Sequence, residues 1–353
     1  MDQILQGRGL KDPKVTFGIL SYDNAAYICA ALDSILAMEK PFPYEVHIAD
    51  DGSTDDTFAR LEPYYDKFAP NVLRILPATG PRTRPEGTGS RINRNRFKLC
   101  VSARGEYLLV GDGDDLWLDR TFVRESVEIL DRESTLAAGY HGPCFLEDGK
   151  VSPWISVSDG RISGFEYVRR GLYTHYGTFV FRNYYLRDYS GGARIGCDDA
   201  TIQIWLATQG DFCGRAKLVY AYRQYSNSGW FKSDPAVVRA EILLVFDSSL
   251  RNCPWRFRLA LLNNYRREFR KALSKPKAIE TALKGKTQGR IIPVDFASGS
   301  LPDVFCRWSE LSWRRHLTAR LTLLWWLFLG RIGRIALPLS RRLSRPVARR
   351  RDA

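Results

Sequence analysis

Through the first third of the chain, short apolar runs alternate with stretches of helical spacing. Val15–Leu20, Tyr44–Ala49, Val72–Leu76 and Tyr107–Val110 read as buried strands, continuous in apolar residues as strands covered on both faces are. Between the first two, Ile28, Ala31, Leu32, Ile35 and Leu36 recur at helix spacing, with Asp23 or Asn24 as the cap and Pro41 and Pro43 closing the unit. A second helix is expected from Ser53 or Thr54, burying Phe58 and Leu61, and a basic helix from Arg91 to Ser102. The segment 77–90 is rich in Pro, Gly, Thr and Arg and reads as a loop. Such strand–helix alternation predicts an α/β fold with a doubly wound sheet.

Beyond a helix from Asp119 to about Leu130 the rhythm changes. Short strands are expected at Leu136–Tyr140, Pro143–Leu146, Gly177–Arg182 and Lys217–Tyr222, with a helix from Asp198 to Gln209. From Asp234 onward the pattern is predominantly helical and rich in arginine.

Composition adds one asymmetry. The net charge of +14 is concentrated at the end of the chain: residues 311–353 hold eleven arginines and one acidic residue. Leu321–Gly330 is an uncharged run with two tryptophans, bounded by Arg320 and Arg331 and too short to span a bilayer. This pattern fits a helix lying in an anionic membrane interface; a helix docked on the body with a basic tail is the plainer alternative. Nucleic acid is the other anionic partner such a tail could take, but the body is only mildly basic and carries no nucleic-acid motif, so none is expected. The seven cysteines include no C-x-x-C pair, and residues 1–14 have no apolar core. Reduced thiols and a cytoplasmic chain, peripheral on the inner membrane face, are the expectation.

Chemistry concentrates where strands end. Asp50-Asp51 follows the second strand and Asp112-Gly113-Asp114-Asp115 the fourth. In open α/β sheets ligands bind outside the carboxyl ends of strands. Crowded carboxylates repel unless a cation, a donor-rich ligand or water solvates them, and Mg2+ and Mn2+ prefer oxygen ligands. The alternative is a pair of solvated Asp-Gly turns. A dinucleotide site is excluded, because the turn after the first strand is Ser21-Tyr22-Asp23-Asn24 and not a glycine-rich loop.

Four motifs in order carry a resemblance: the strand with Ser21-Tyr22-Asp23, Asp50-Asp51-Gly52-Ser53-Thr54-Asp55, Gly105-Glu106-Tyr107, and Asp112-Gly113-Asp114-Asp115-Leu116-Trp117. Residues 15–118 resemble the nucleotide-binding half of family 2 glycosyltransferases, which have the GT-A fold. The resemblance implies a Rossmann-like, mixed-sheet GT-A domain over 1–230, with a nucleotide-sugar half at 15–130 and an acceptor half at 131–230. A helical, Arg-rich extension would follow at 231–310 and the membrane-associating tail at 311–353.

The resemblance also implies roles. Leu20 and Tyr22 would line the base pocket, and Asp51, with Asp50 beside it, would read a uracil imide. Asp112, Gly113 and Asp115 would meet the donor, and Asp112 and Asp114 would hold Mn2+ or Mg2+. Trp117 would complete that loop near the sugar. Arg91 is taken as the donor arginine, although Arg94, Asn95 and Arg96 crowd the same helix and Asn95 stands two residues too far from Gly105 for the family spacing. Asp199, beside Asp198 at a helix start, would be the general base of an inverting transfer; the same pair also serves as a helix cap. Arg223 would contact the diphosphate, with Ser226–Ser228 in the same loop. Apart from the resemblance, His175 is a candidate for facing the acceptor and Trp154 for stacking on a sugar, with packing the alternative for both. The partners implied are a nucleotide-sugar donor, a UDP-sugar first, and a glycan or lipid-linked acceptor of surface polysaccharide synthesis. A catalytically inactive partner of another transferase is the alternative within this fold.

Overall fold

The computed structural model describes residues 12–76, 78, 88–184, 198–225 and 234–272. The expected tail at 311–353, Ser226–Ser228 and most of 77–90 lie outside the described residues, as does the Arg91 side chain.

The four expected strands form. They are β1 (Val15–Ser21), β2 (Tyr44–Asp50), β3 (Val72–Leu76) and β4 (Tyr107–Asp112). Further along come β5 (Leu116–Trp117), β6 (Leu136–Glu147), β7 (Lys150–Pro153), β8 (Gly160–Ile162), β9 (Phe179–Arg182) and β10 (Asp211–Arg223). They make one ten-stranded sheet in the order β3-β2-β1-β4-β9-β6-β10-β5, with β7 on β6 and β8 on β10. β1 pairs in parallel with both β2 and β4, so the strand order reverses at β1 and opens a crevice there. β9 runs antiparallel to β4 and β6, which makes the sheet mixed.

Side-chain alternation divides the core into two layers. Val15, Phe17, Ile19, Val46, Ile48 and Leu109 face helices α1 (Ile28–Leu36), α2 (Thr57–Leu61), α3 (Tyr64–Phe68) and α5 (Phe122–Arg132). Leu20, Ala49, Leu108 and Val110 face the other way, towards α4 (Thr88–Ser102) and α7 (Asp199–Gln209). That second layer also takes in α6 (Gly164–Arg170), α8 (Pro235–Asn252) and α9 (Trp255–Ala272). Leu243, Phe246, Phe257 and Tyr265 of the last two helices pack into it with Tyr167 and Phe212. Helices α8 and α9 therefore share a core with α6, α7 and β10.

Some local expectations shift for identifiable reasons. Residues 136–147 are a single strand, although Gly142-Pro143 punctuates the sequence. Pro143 offers no N–H, and the ladder with β10 is irregular beside it. The second helix starts at Thr57, because Ser53 and Thr54 are spent on the loops: Ser53 Oγ donates to Asp50 Oδ2 and Thr54 N–H to Asp23 Oδ1. Phe58 lies on its exposed face, while Leu61 is buried.

At the opposite end of the strands from the crevice, Glu45 is fully buried in a closed polar network. Its carboxylate accepts from Thr16 Oγ1, from the Arg104 backbone and guanidinium, and faces His47 at 3.2 Å. Gly105 completes the corner by donating its N–H to Thr16 Oγ1. A Cβ there would come 2.5 Å from the Thr16 nitrogen, so a side chain is excluded.

Candidate donor and base site

The loops after β1 and β2 are sewn together before either reaches a ligand. Asp50 spends both carboxylate oxygens on its own turn, accepting from Gly52 N–H, Ser53 N–H and Ser53 Oγ. Asp23, held at φ +47, accepts from Thr54 N–H, while its own N–H donates to Ser53 Oγ. Asp51 N–H donates to the Ser21 carbonyl, and Gly113 N–H to the Leu20 carbonyl at 2.7 Å. The end of β1 thus ties both acidic clusters to one strand. Asp51 stands at the edge of the crevice, where Asn95 Nδ2 donates to its Oδ1 at 3.0 Å. Tyr22 is 38% exposed at the crevice mouth and Leu20 is buried behind it. Gly113 is in tight quarters, since a Cβ would meet Asn24 at 2.8 Å and Ile28 at 2.9 Å.

The second cluster is held by aromatic hydroxyls and by Arg223. Tyr220 of β10 accepts from the Asp112 N–H at 3.0 Å and donates to Asp115 Oδ2 at 2.8 Å. Asp115 Oδ1 accepts from the Arg223 N–H, and the Arg223 Nε donates to the Asp114 carbonyl. Tyr225 donates its hydroxyl to Asp114 Oδ2. The guanidinium of Arg223 lies over the ring of Tyr27, 4.9 Å from its centroid. Burial, opposed by Arg96 and assisted by Asp114 and Asp199, pushes the Asp112 carboxyl up to about 7. Burial, with Asp114 and Asp112 adding to it, raises Asp115 well above the ordinary carboxylate range, and burial raises Asp114 as well. Carboxylates this crowded are suited to a divalent cation.

The base candidate arrives from the far half of the chain. Asp198 is the N-cap of α7: its carboxylate accepts from the Thr201 N–H at 3.0 Å and from the Thr201 hydroxyl. Asp199, one residue on, turns instead towards α4, where Arg96 Nη1 lies 2.9 Å from its Oδ1. The two carboxylates therefore divide between capping and the crevice. Arg96 is buried, its guanidinium 4.9 Å from the centroid of the Tyr176 ring. Burial alone would lower its affinity for a proton, but Asp199 and then Asp112 outweigh that and hold it charged.

His175 closes the space between. Its Nδ1 accepts the Gly177 N–H, which leaves the proton of the neutral ring on Nε2, 3.7 Å from Asp112 Oδ2. Burial pushes His175 down to about 4, so the ring is neutral at neutral pH. One atom each of Asp112, Asp115 and His175 lie within 4.8 Å of one another. With Nδ1 accepting, however, His175 presents a hydrogen and not a lone pair, so oxygen ligands remain the cation's natural partners. Trp117 is placed beneath the loop: it is 4% exposed, its indole N–H donates to the Gly177 carbonyl at 2.8 Å, and its ring meets Tyr220 edge-on. It supports the aspartate loop from inside.

The crevice thus brings together Leu20, Tyr22, Asp51, Asp112, Asp114, Asp115, His175, Asp199 and Arg223, with Asp50 and Asp198 holding the two loops. Arg96 reaches Asp199 from the helix that also carries Arg91, the arginine taken for the donor, whose side chain lies outside the described residues. Tyr220 and Tyr225, which hold the aspartates, carry no signal in the sequence, because each lies more than a hundred residues from its partner.

Comparison with known proteins agrees with this architecture. The chain matches the description "Glycosyl transferase family 2" over residues 16–205. An uncharacterized protein of Mycobacterium tuberculosis is 37% identical over 123 residues, 35% of this chain and 33% of that protein. An uncharacterized glycosyltransferase of Mycoplasma pneumoniae is 35% identical over 108 residues, 30% of this chain and 33% of its own length. The chain thus matches about a third of the length of these curated relatives. Among solved structures, residues 1–349 of S. aureus TarS in complex with UDP-GlcNAc share the fold, with a TM-score of 0.55 and 17% identity; 79% of this chain and 82% of that one are covered. The mixed sheet, with its crevice at the strand reversal, is a GT-A fold, and the chain belongs to glycosyl transferase family 2.

Proposed function

We propose that the protein is an inverting glycosyltransferase that moves a sugar from a nucleotide diphosphate, UDP first, to a hydroxyl of a glycan or lipid-linked acceptor. The observation that carries this reading is the convergence of Asp51, Asp112 and Asp199 from three separate segments on the β1–β4 crevice, with Arg96 joined to Asp199.

Asp51 accepts hydrogen bonds at the end where a base would sit, and the exposed ring of Tyr22 offers it a stacking surface. Asp112, with Asp114 and Asp115 beside it, would hold Mn2+ or Mg2+, because the crowded carboxylates form an oxygen donor set whose negative charge burial disfavours. Bound there, the cation would neutralise the diphosphate. Arg223 adds a positive charge on the same side. Asp199 takes the proton from the acceptor hydroxyl as that oxygen attacks the anomeric carbon; the bond to the diphosphate breaks on the opposite face, which inverts the configuration. Arg96 holds one oxygen of Asp199 in place.

The acceptor chemistry and the tail belong together. Residues 311–353 would bind an anionic membrane surface from the cytoplasmic side, which suits an acceptor built on a lipid carrier. Among the described residues no helix is long and apolar enough to cross a membrane.

Thermal unfolding with nucleotides tests the donor site. UDP with Mn2+ raises the Tm and EDTA removes the gain, by about 3 kcal/mol of linkage at a hundredfold excess over Kd. The absence of a shift with UDP, GDP, CDP or TDP contradicts it.

A further inference from the structure

From His175 outward runs a row of aromatic rings whose outer members, Tyr222, Trp154 and Phe145, the donor chemistry does not use. Trp154 follows β7 and is stacked on Phe145 of β6, centroids 5.0 Å apart and planes 22° from parallel. Its ring also meets Tyr222 and His175, each at 5.9 Å. His175 in turn is 5.4 Å from Tyr222 and stacked on Tyr220 at 4.5 Å and 17°. The Trp154 N–H donates to the Pro143 carbonyl, which fixes the backbone beneath the indole. In spite of these contacts Trp154 stays 43% exposed. An apolar ring left in water forgoes the stabilisation that burial would give it.

The row begins at the carboxylates and ends in solvent. At its inner end His175 Nε2 lies 3.7 Å from Asp112. Tyr222 stands in the field of four carboxylates: burial raises its hydroxyl strongly, and Asp115, Asp112, Asp114 and Asp199 add to that. A ligand on the Trp154 end therefore has its inner edge towards Asp112.

The chemistry of such a surface selects its occupant. Aromatic faces are electron-rich, and a stacked, mutually braced set of rings is rigid before anything binds. A pyranose matches it, because one face of the ring presents weakly positive C–H groups while the hydroxyls radiate from the rim. A linear polyol has the hydroxyls without the face. We propose that Trp154, braced by Phe145, Tyr222 and His175, is an acceptor platform for a pyranose ring, so that the attacking hydroxyl belongs to a sugar. The inference rests on the glycosyl transfer proposed above and names the class of its acceptor.

Saturation-transfer NMR on the full chain tests it, with the methyl pyranosides of glucose, galactose and mannose as probes and sorbitol as control. At least one glycoside receives saturation at its ring C–H protons in the wild type, and sorbitol does not. Trp154→Ala lowers the signal by about fivefold, the size of one aromatic contact, while Trp154→Phe keeps a ring on Phe145 and most of the signal. Saturation of none of the three glycosides, or equal saturation in Trp154→Ala, overturns the platform. The nucleotide-dependent Tm shift, measured on the same samples, reports on the donor carboxylates alone. Its absence in the wild type counts against the transferase reading and not against the platform.

Discussion

Arg96 Nη1 lies 2.9 Å from Asp199 Oδ1, although Arg96 belongs to α4 and Asp199 begins α7, about a hundred residues further along the chain. The preceding residue, Asn95, holds Asp51. Two consecutive side chains of α4 therefore reach the proposed base-reading carboxylate and the proposed catalytic one. Helices α4 and α7 can meet this way because both lie on the same face of the sheet.

Removing that guanidinium leaves Asp199 without its partner while the aspartate loop stays intact. Arg96→Met is expected to lower kcat by about 10²- to 10³-fold, with the donor KM changed less than about threefold. Arg96→Lys keeps the charge and restores part of the rate. Steady-state kinetics of the two variants check this. A Met variant that loses donor affinity instead places Arg96 on the nucleotide.

The fold disfavours the charged form of Asp112. Its folded pKa of about 7 stands above the ordinary 3.8, so its charge opposes folding at every pH above the ordinary value, in full once the pH exceeds 7. A shift of that size corresponds to about 4 kcal/mol, reduced to roughly 1–3 because the side chain is a quarter exposed. Asp112→Asn is therefore expected to raise the Tm of the ligand-free protein at pH 8 and to abolish the Mn2+-dependent nucleotide shift. Differential scanning calorimetry reads both; a Tm that falls contradicts the electrostatic account.

Glu45 behaves in the opposite sense. Burial would raise its carboxyl, but His47, Arg104 and Thr16 together hold it at about 2 against an ordinary 4.5. The stability it contributes is fully present above 4.5 and is lost as pH falls through 2, by about 3 kcal/mol. Glu45→Gln removes that acid-dependent loss and costs about 1–3 kcal/mol at neutral pH, since the buried network loses its charge-assisted hydrogen bonds while the half-exposed Arg104 guanidinium stays solvated. Urea melts between pH 2 and 7 on both proteins give the comparison.

Much of the frame was legible in the residues. β1, β2, β3 and β4 announce themselves as continuous apolar runs, which is what strands covered on both faces require. The acidic clusters fall at their ends because the crevice does. Harder to see were features set by partners distant in sequence. Trp117 sits in a motif whose neighbours suggest a ligand, yet Gly177 and Tyr220 draw it into the core. The length of β6 was hidden by Gly142-Pro143, whose cost is absorbed by an irregular ladder. The contact of Arg96 with Asp199 was not legible either, because it depends on α7 lying beside α4, and helical spacing alone gives each arginine of 91–96 a plausible face.

The proposed membrane contact has its own test. Deleting residues 311–353 removes eleven arginines and one acidic residue. Binding to vesicles containing 30% anionic lipid is expected to fall by more than about tenfold, each lost basic residue near the surface being worth about 1 kcal/mol. Sedimentation with vesicles measures it; a truncated chain that pellets equally places the contact on the body.

The central claim is that Asp199 removes a proton during sugar transfer from a nucleotide diphosphate held at Asp51 and Asp112. Its most direct measurement is release of nucleotide diphosphate from a panel of UDP-, GDP-, CDP- and TDP-sugars with Mn2+ and a membrane extract as acceptor source, comparing the wild type with Asp199→Asn. At least one donor is expected to be consumed by the wild type and EDTA to stop it, while Asp199→Asn still gains Tm with the matching nucleotide and its turnover falls by about 10³-fold or more. Turnover by Asp199→Asn at the wild-type rate, or no donor consumed by either protein, would contradict it.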